Sequence, residues 1–363
     1  MSARAGADPA AGPPSLDELP ARIDGPAAWV GHDMQHRTDE WLVQLSDADV
    51  AELEEAARGC LARGQDPGEL TADDFPLPSL HAHLVALKEK LLHGIGFEVL
   101  SGLPVGRYDP RLSATIFCGV GAHLGSARSQ NAQGHVLGHV RDTGASSKDA
   151  NTRIYQTAER QSFHTDSADV VGLLCLRDAR EGGDSLLVSA LSIYNRMRAE
   201  RPDLLLRLFD PIATDRRGEV PPGAKPYMEI PVLSWHAGRL TVFYQRQYIE
   251  SAQRFDDAMR LTPDHVAALD MFDALAEAPM MHVRMRLRPG DMQFVYNHAQ
   301  LHDRTAFLDW PEPSRRRHLL RLWLSPEGDR VLPKCFEQRY GSITIGDRGG
   351  IVTGGTVRTA PID

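Results

Sequence analysis

The sequence predicts an α+β protein, mainly β, in which an antiparallel sandwich or barrel is flanked by helices. Helical apolar spacing is concentrated before residue 125, and short apolar runs separated by Gly/Pro turns dominate after it. With 42% hydrophobic and 25% charged residues, the 363-residue chain has an ordinary globular composition. We therefore expect a single domain over residues 26–363, preceded by a poorly ordered Ala/Pro/Gly-rich arm over residues 1–25.

The N-terminal part of this domain, residues 39–124, carries the helical spacing. Leucines recur at i, i+4 and i+7 within LHAHLVALKEKLL, which puts an apolar stripe on one face of a helix. Ser46 and Asp47 are both candidate N-caps for the first helix. The predicted helices cover residues 39–62, 78–93 and 110–124.

The β-rich part extends from about residue 150 to 342. Its short strands are separated by turns such as EGGDS and RPGD, and VLSWHAGRLTVFYQ indicates a hairpin around Gly238. A helical insertion is expected over residues 191–280. Two roles stay open for this insertion, a lid over a site and a contact within a homo-oligomer.

Charge and cysteine content exclude several classes of protein. The formal net charge is −9 and the pI is about 5.9, so we expect neither nucleic acid nor an anionic membrane as a partner. No run approaches the roughly 20 apolar residues that cross a bilayer, and the N-terminus lacks a secretory signal. The four cysteines are widely spaced without a C-x-x-C pair, which argues against disulfides or structural zinc and favours the cytoplasm.

One short motif indicates metal chemistry. His164-Thr165-Asp166 is the only His-x-acid pair in the chain, and residues two apart in a strand point to the same face. An imidazole nitrogen and a carboxylate oxygen can then bind one ion. A pair of this kind alone is more often a hydrogen-bonded or solvated histidine, so the motif indicates a metal site only together with a third ligand.

Candidates for the third ligand follow the predicted strand MQFVYN, in the run NHAQLHDR. Both His298 and His302 qualify. Either would complete a set of two histidines and one carboxylate, which leaves open positions on the metal and is typical of Fe(II) oxygenases. A structural zinc site would instead use four protein ligands.

The run RRRHLLRLWLS carries a second chemical signal. Its alternation puts Arg317 and Arg321 on one face of an apolar strand, whereas Arg315 and Arg316 suit a solvated basic surface. A buried guanidinium needs an anion, and a dicarboxylate would supply one through a two-pronged ion pair.

In order and spacing, these pieces resemble the taurine dioxygenase/TfdA family of Fe(II)/2-oxoglutarate oxygenases and the related clavaminate synthase-like enzymes. The resemblance covers about residues 94–342 and rests on GIGFEVLSGLP, FHTDSADVVGLLCL, GGDS, PGDMQFVYN, LHDRTAFLD and RRRHLLRLWL. It implies a double-stranded β-helix (jelly-roll) core, with Fe(II), 2-oxoglutarate and O₂ as cofactor and co-substrates. The expected reaction couples decarboxylation of 2-oxoglutarate to succinate with C–H oxidation of a small organic substrate, and a role in secondary metabolism is one expectation.

The family pattern also implies the iron ligands. The family places iron on an H-x-D pair and on a later His that is followed by an Arg two residues on. His164, Asp166 and His302 match, with Arg304 in the following position, which favours His302 over His298. The intact carboxylate implies hydroxylation, desaturation or cyclisation rather than halogenation.

The resemblance assigns 2-oxoglutarate contacts as well. The hydroxyl of the family's G-G-D-T/S turn matches Ser185. The family's two arginines, four residues apart, match Arg317 for the distal carboxylate and Arg321 near the C1 carboxylate. The WPEPS insertion lengthens the gap after the distal histidine, so Arg315 and Arg316 stay open as alternatives to Arg317.

Substrate contacts carry weaker signals. Gln130 and Asn131 lie in a Gly/Ser-rich loop, Gln156 precedes the H-x-D strand, and Arg304 would bring charge near the metal. Two rival functions remain: a metal-dependent hydrolase that uses the same three ligands, and a non-catalytic metal-binding barrel. Neither explains two buried arginines beside the metal.

Overall fold

Two β-sheets face each other and form a jelly-roll of the double-stranded β-helix type, with helices on both outer faces. The computed structural model describes residues 13–145, 154–351 and 358–362. The predicted fold class is confirmed. In the described ranges, no helix has the length and apolar character that crossing a membrane would need.

The helices in the described part of the chain are α1 (Gly31–Gln35), α2 (Thr38–Trp41), α3 (Asp47–Ala62), α4 (His81–His93), α5 (Pro110–Leu124), α6 (Ala190–Glu200), α7 (Pro202–Arg207), α8 (Arg246–Ala252), α9 (Pro263–Glu277) and α10 (Glu337–Tyr340). The strands are β1 (Leu42–Gln44), β2 (Phe97–Ser101), β3 (Ser126–Ala127), β4 (Leu137–Val140), β5 (Gln161–His164), β6 (Val170–Arg177), β7 (Glu181–Gly182), β8 (Ser185–Ser189), β9 (Ile212–Asp215), β10 (Tyr227–Ile230), β11 (Leu233–His236), β12 (Arg239–Val242), β13 (His282–Met285), β14 (Met292–Tyr296), β15 (Gln300–Arg304), β16 (Phe307–Leu308) and β17 (His318–Ser325).

The larger sheet has the strand order β1-β2-β14-β6-β17-β3, with β4 also paired to β17, and the smaller sheet has the order β13-β8-β15-β5. The β1–β2 pair is parallel, and the other strand pairs described in these two sheets are antiparallel. In the described residues, no strand of one sheet pairs with a strand of the other through backbone hydrogen bonds, so the sandwich stays open.

Alternation along β17 shows how the layers are built. Leu320, Leu322 and Leu324 pack in the core between the larger sheet and helices α3–α5, whereas Leu319 packs between the two sheets. A third core fills the space between the smaller sheet and helices α6, α7 and α9. Alternate side chains of β17 therefore face opposite sides of the larger sheet. One set packs in an apolar layer under the helices, and the other faces the interior of the sandwich, where the polar site described below lies.

The N-terminal helices follow the sequence prediction with two differences: the helix predicted over 39–62 is interrupted, and the one predicted over 78–93 begins at His81. Of the two candidate caps, Ser46 is the N-cap of α3, because its side chain accepts a hydrogen bond from the backbone N–H of Asp49 within a capping box. The residues before it do not continue the helix, since β1 pairs with β2 instead. Helix α5 has the predicted bounds of 110–124.

The segment 191–280 is mixed rather than helical. Helices α6 and α7 precede the β9–β10 and β11–β12 hairpins, and helices α8 and α9 follow them; a break between α6 and α7 occurs where Pro202 starts α7. The hairpin around Gly238 is confirmed. Strands β13 and β14, expected on either side of one turn, belong to different sheets.

Part of the predicted N-terminal arm is packed against the domain. The side chain of Leu19 is buried beside α6, and the Tyr194 hydroxyl donates to the carbonyl of Pro20 at 2.6 Å. Residues 1–12 lie outside the described residues, and for them the poorly ordered arm stays a prediction. The assignment of residues 26–363 to one domain likewise stays a prediction.

Candidate active site

Strands β5 and β15 bring two histidines together at the interior of the sandwich. His164 lies directly opposite His302 in the antiparallel pairing, and the ring centroids are 4.2 Å apart. Asp166 lies two residues beyond the end of β5, with carboxylate oxygens 4.0 Å from His164 Nε2 and 3.7 Å from His302 Nε2. The three side chains are at most 12% exposed, and their candidate ligand atoms all lie within 4.8 Å of one another.

The loop that carries Asp166 is fixed by Asn297, a residue that sequence reasoning missed. The side-chain oxygen Oδ1 of Asn297 accepts from the backbone N–H of Asp166 at 2.9 Å. The Asn297 amide donates to the carbonyls of Asp166 and Ala168 at 2.6 and 2.8 Å. Because the loop has left the strand, these three bonds replace the sheet ladder in setting the position of the carboxylate.

The protonation states suit a divalent metal. Burial lowers the pKa of His302 to about 3 and also lowers the pKa of His164, so both imidazoles are neutral near pH 7. Burial would raise the pKa of Asp166, but the charge of Arg321 and a hydrogen bond from Trp323 outweigh it and lower the pKa. The site therefore offers two neutral imidazoles and one carboxylate.

The tautomer of His164 is also set. Its Nδ1–H donates to the carbonyl of Ser162 at 2.8 Å, which leaves the lone pair on Nε2. In this structure Nε2 accepts from the side-chain amide of Gln161, also at 2.8 Å. Two such imidazoles and a carboxylate on one side of an ion form the donor set of non-haem Fe(II) oxygenases, so the residues fit ferrous iron.

His298, the alternative third ligand, lies in a different cluster. Its Nε2 is 2.7 Å from Asp169, and Asp169 also accepts from the Arg348 guanidinium at 2.8 Å. Arg348 donates in addition to Asp329 at 2.7 Å. His298, Asp169 and Asp329 are close enough to hold a metal, but the guanidinium already supplies the positive charge between the two carboxylates. The structure therefore brings His302, not His298, to the H-x-D pair.

One chamber beside the three residues, here called the inner chamber, lies between the two sheets. Its lining includes His164, His302, Ser185, Arg304, Arg317, Arg321 and the apolar side chains of Val171, Leu173, Leu287 and Leu319.

Arg317 is the cation that most needs a partner in the inner chamber. It is 5% exposed, its Nη1 has no hydrogen-bond partner, and burial lowers its pKa. Arg315 and Arg316 are exposed at the surface, so the alternation along β17 distinguishes Arg317 from them. Ser185 lines the same chamber and donates to Gln293 at 3.0 Å. A chamber with a buried, unsatisfied guanidinium suits a carboxylate ligand.

Arg321 lies at the junction of two chambers and is held from several sides. Its Nη1 donates to Asp166 at 3.1 Å, and its Nε donates to Gln130 at 2.7 Å. The rings of Tyr155 and Trp323 lie 4.7 and 4.9 Å from the guanidinium. Gln130 is thus bonded to Arg321 and lines neither chamber, so its observed role is to position a cation rather than to face a substrate.

The other expected substrate contacts are not gathered at the three residues. The side-chain oxygen of Asn131 accepts from the backbone N–H of His135 in a local turn. Arg304 lines the inner chamber but donates to backbone carbonyls, that of Thr157 at 2.9 Å among them, and burial lowers its pKa to about 9. Neither Asn131 nor Gln156 lines either chamber.

A second chamber, here called the outer chamber, is lined by Asp166 itself. It is lined by Tyr155, Gln161, His164, Thr165, Asp166, Ser167, Thr214, Met228, Phe243, Gln245, Tyr248, Arg321, Trp323 and Arg339. Six of these fourteen residues come from residues 214–248 and from α10, segments that no motif in the sequence singled out. The two chambers share Tyr155, Gln161, His164 and Arg321, so small molecules bound in each would meet beside the metal site.

Sequence comparisons identify relatives over most of the chain. The family model described as "Taurine catabolism dioxygenase TauD, TfdA family" matches residues 62–323. FR-33289 synthase of Streptomyces rubellomurinus (strain ATCC 31215) is 33% identical over 330 residues, which cover 90% of this chain and 97% of that protein. Taurine hydroxylase-like protein SAT17 of Stachybotrys chartarum (strain CBS 109288 / IBT 7711) is 32% identical over 337 residues, covering 88% and 86%.

Solved structures agree with the fold. An asparagine oxygenase in complex with Fe(II), 2S,3S-3-hydroxyasparagine and succinate superimposes with a TM-score of 0.61 and 19% identity, covering 78% of this chain and 93% of that one. At this level of identity the likeness concerns the fold alone.

Proposed function

The chain belongs to the taurine catabolism dioxygenase TauD, TfdA family, and on that basis we propose that His164, Asp166 and His302 bind its iron. It is an Fe(II)- and 2-oxoglutarate-dependent dioxygenase. The observation that carries the ligand assignment is the meeting of these three side chains, from two paired strands and the following loop, within 4.8 Å. The bound metal and co-substrate supply the oxidising chemistry, in which O₂ and 2-oxoglutarate give succinate, CO₂ and one oxygen atom for a C–H bond.

We assign the inner chamber to 2-oxoglutarate. Arg317 would take the distal carboxylate, because its buried Nη1 has no other hydrogen-bond partner among the described residues. Ser185 would add a hydroxyl at the same end, and Arg321 would lie beside the C1 carboxylate, since it already contacts Asp166. Each of these protein groups would therefore either neutralise one carboxylate of the co-substrate or orient it.

The outer chamber is the place we propose for the organic substrate. Its lining includes His164 and Asp166 but not Arg317, so substrate and co-substrate would each have a chamber of their own beside the metal. The relative from Streptomyces rubellomurinus is named a synthase, which fits a small molecule and a biosynthetic role. The rival hydrolase gains no support, because a hydrolytic site gives Arg317 no ligand.

We also propose that the protein works in the cytoplasm. The four cysteines are free, and burial raises the pKa of the Cys118 and Cys175 thiols to about 12. Thiols that stay protonated and reduced suit a reducing compartment.

An anaerobic titration tests the assignment. Fe(II) and 2-oxoglutarate added to the protein should produce a weak visible charge-transfer band, and Asp166→Ala or His302→Ala should abolish it. His32→Ala is the matched control, because this exposed histidine on α1 lies outside both chambers. A normal band in either ligand variant would remove that residue from the metal site. Succinate formation with Zn(II), or without O₂, would instead contradict the reaction class.

A further inference from the structure

The outer chamber contains a cation that has no part in the roles assigned so far. Arg339, on α10, lines the chamber, and its Nε donates to the Ser167 hydroxyl at 2.5 Å. Ser167 directly follows Asp166. We propose that Arg339 determines substrate specificity by binding an oxoacid anion of the substrate, of the carboxylate, sulfonate or phosphonate type. The inference rests on the function proposed above and names the substrate class of the same site.

The charges that line the outer chamber favour an anion. Asp166 is the one acidic side chain among its lining residues, and it already forms an ion pair with Arg321 at 3.1 Å. Arg339 adds a second positive charge, and ferrous iron would add more. The remaining polar lining is neutral, with hydroxyl and amide groups from Thr165, Ser167, Thr214, Gln245, Tyr248 and Gln161. A cationic substrate would meet repulsion there, whereas an oxoacid would be attracted and hydrogen-bonded.

A second guanidinium lies behind Arg339 and strengthens the positive potential. Arg216 is 5% exposed and donates to the backbone carbonyls of Lys225 and Gln338, and the described residues offer it no carboxylate partner. Burial lowers the pKa of Arg216, and the nearby charge of Arg339 lowers it further. Because two like charges are held close together, an anion bound at Arg339 would relieve their repulsion.

The position of Arg339 also bounds the substrate. Its partner Ser167 follows the proposed ligand Asp166, and consecutive Cα atoms are only about 3.8 Å apart. We therefore expect a short spacer between the anion and the C–H bond to be oxidised in the substrate. Met228 and Phe243 supply apolar surface in the same chamber, which suits a short carbon chain between them.

A calorimetric titration separates this inference from the proposed function. The protein is loaded anaerobically with Mn(II), which does not support turnover, and then with 2-oxoglutarate to fill the inner chamber. Propylphosphonate, propanesulfonate and butanoate are titrated as anionic probes, and butanamide and propylammonium as neutral and cationic counterparts. We expect the anions to bind in preference to both counterparts, and the rank among the three anions identifies the kind of oxoacid.

Variants then assign the binding to one side chain. Arg339→Gln should weaken the best anion by at least about 10-fold, the usual loss of a charge-assisted hydrogen bond, whereas Arg339→Lys should retain part of the affinity. Arg196→Gln, which removes an exposed arginine of α6, should change nothing. Failure of 2-oxoglutarate to bind would overturn the proposed function and this inference with it. Normal 2-oxoglutarate binding without anion preference, or an unchanged Kd in Arg339→Gln, would overturn this inference alone.

Discussion

Replacing Arg317 with Met should weaken the binding of 2-oxoglutarate without lowering the stability of the ligand-free protein. The guanidinium is buried, its Nη1 has no hydrogen-bond partner among the described residues, and its carbon lies 5.1 Å from the centroid of the Phe307 ring. The described residues give the side chain no salt bridge. In the absence of 2-oxoglutarate, Arg317 is therefore a buried and poorly compensated charge.

The magnitudes follow from this environment. A carboxylate bound to Arg317 would form a buried, hydrogen-bonded charge pair, and truncating one partner of such a pair costs about 2–5 kcal/mol. The Kd for 2-oxoglutarate should thus rise roughly 30-fold to several thousand-fold in Arg317→Met. The free energy of unfolding of the ligand-free protein should stay within about 1 kcal/mol or increase, because methionine has similar length and no charge to desolvate.

Two measurements on the same samples test the prediction. Anaerobic calorimetry with Mn(II) gives the Kd for 2-oxoglutarate, and urea unfolding of the ligand-free protein gives the stability. Arg316→Met is the matched control, because this neighbour is exposed and should affect neither quantity. A normal Kd in Arg317→Met, or a larger loss of affinity in Arg316→Met, would refute the reasoning that assigns the inner chamber to 2-oxoglutarate.

Three further predictions concern the scaffold. Asn297→Ala removes three buried hydrogen bonds from the Asp166 loop and should lower the free energy of unfolding by about 3 kcal/mol. Because the loop positions the Asp166 carboxylate, the variant should also bind Mn(II) more weakly. Unchanged Mn(II) binding would contradict a positioning role for Asn297. Burial and nearby positive charge lower the pKa of His318 from 6.5 to about 3, so the folded state binds fewer protons than the unfolded state and stability falls as pH drops below 6.5. His318→Gln should flatten that fall by up to about 1.4 kcal/mol per pH unit in urea titrations of metal-free protein, and an unchanged slope would refute it. Gly290→Ala should destabilise the protein by about 2 kcal/mol or more, because φ is +96° and a Cβ would lie 1.9 Å from the Leu103 carbonyl oxygen. Gly144→Ala is the control and should cost less, since φ is +76° there but a Cβ would meet open space. Equal unfolding midpoints for the two variants would contradict this prediction.

Local patterns in the sequence predicted much of the fold. The leucine spacing, the Ser46 cap and the bounds of α5 depend on neighbours within a few residues, which the sequence displays directly. Alternation in RRRHLLRLWLS likewise separated buried Arg317 from exposed Arg315 and Arg316. Such features are readable because side-chain direction repeats with the period of the element.

Long-range pairing was not readable in the same way. Strands β13 and β14 are adjacent in the chain but join different sheets, since each pairs with strands more than 90 residues away in sequence. The expected strand through Asp166 ends at His164, and Asn297 compensates from a distant segment. These outcomes depend on which surfaces meet in three dimensions.

The substrate side of the site illustrates the same limit. Gln130 drew attention because it lies in a polar loop, yet it is bonded to Arg321, 191 residues away. Arg339 gave no signal, because one arginine in a C-terminal helix looks like any other surface cation until the fold brings it beside Ser167. Specificity residues that come from separate segments carry no local motif.

An iron-edge anomalous difference map from crystals grown anaerobically with Fe(II) and 2-oxoglutarate would test the central claim most directly. We expect a single strong peak within coordinating distance of His164, Asp166 and His302, with co-substrate density extending to Arg317. A peak instead at the buried cluster of Asp169, His298 and Asp329, or His302 turned away from the metal, would contradict the claim.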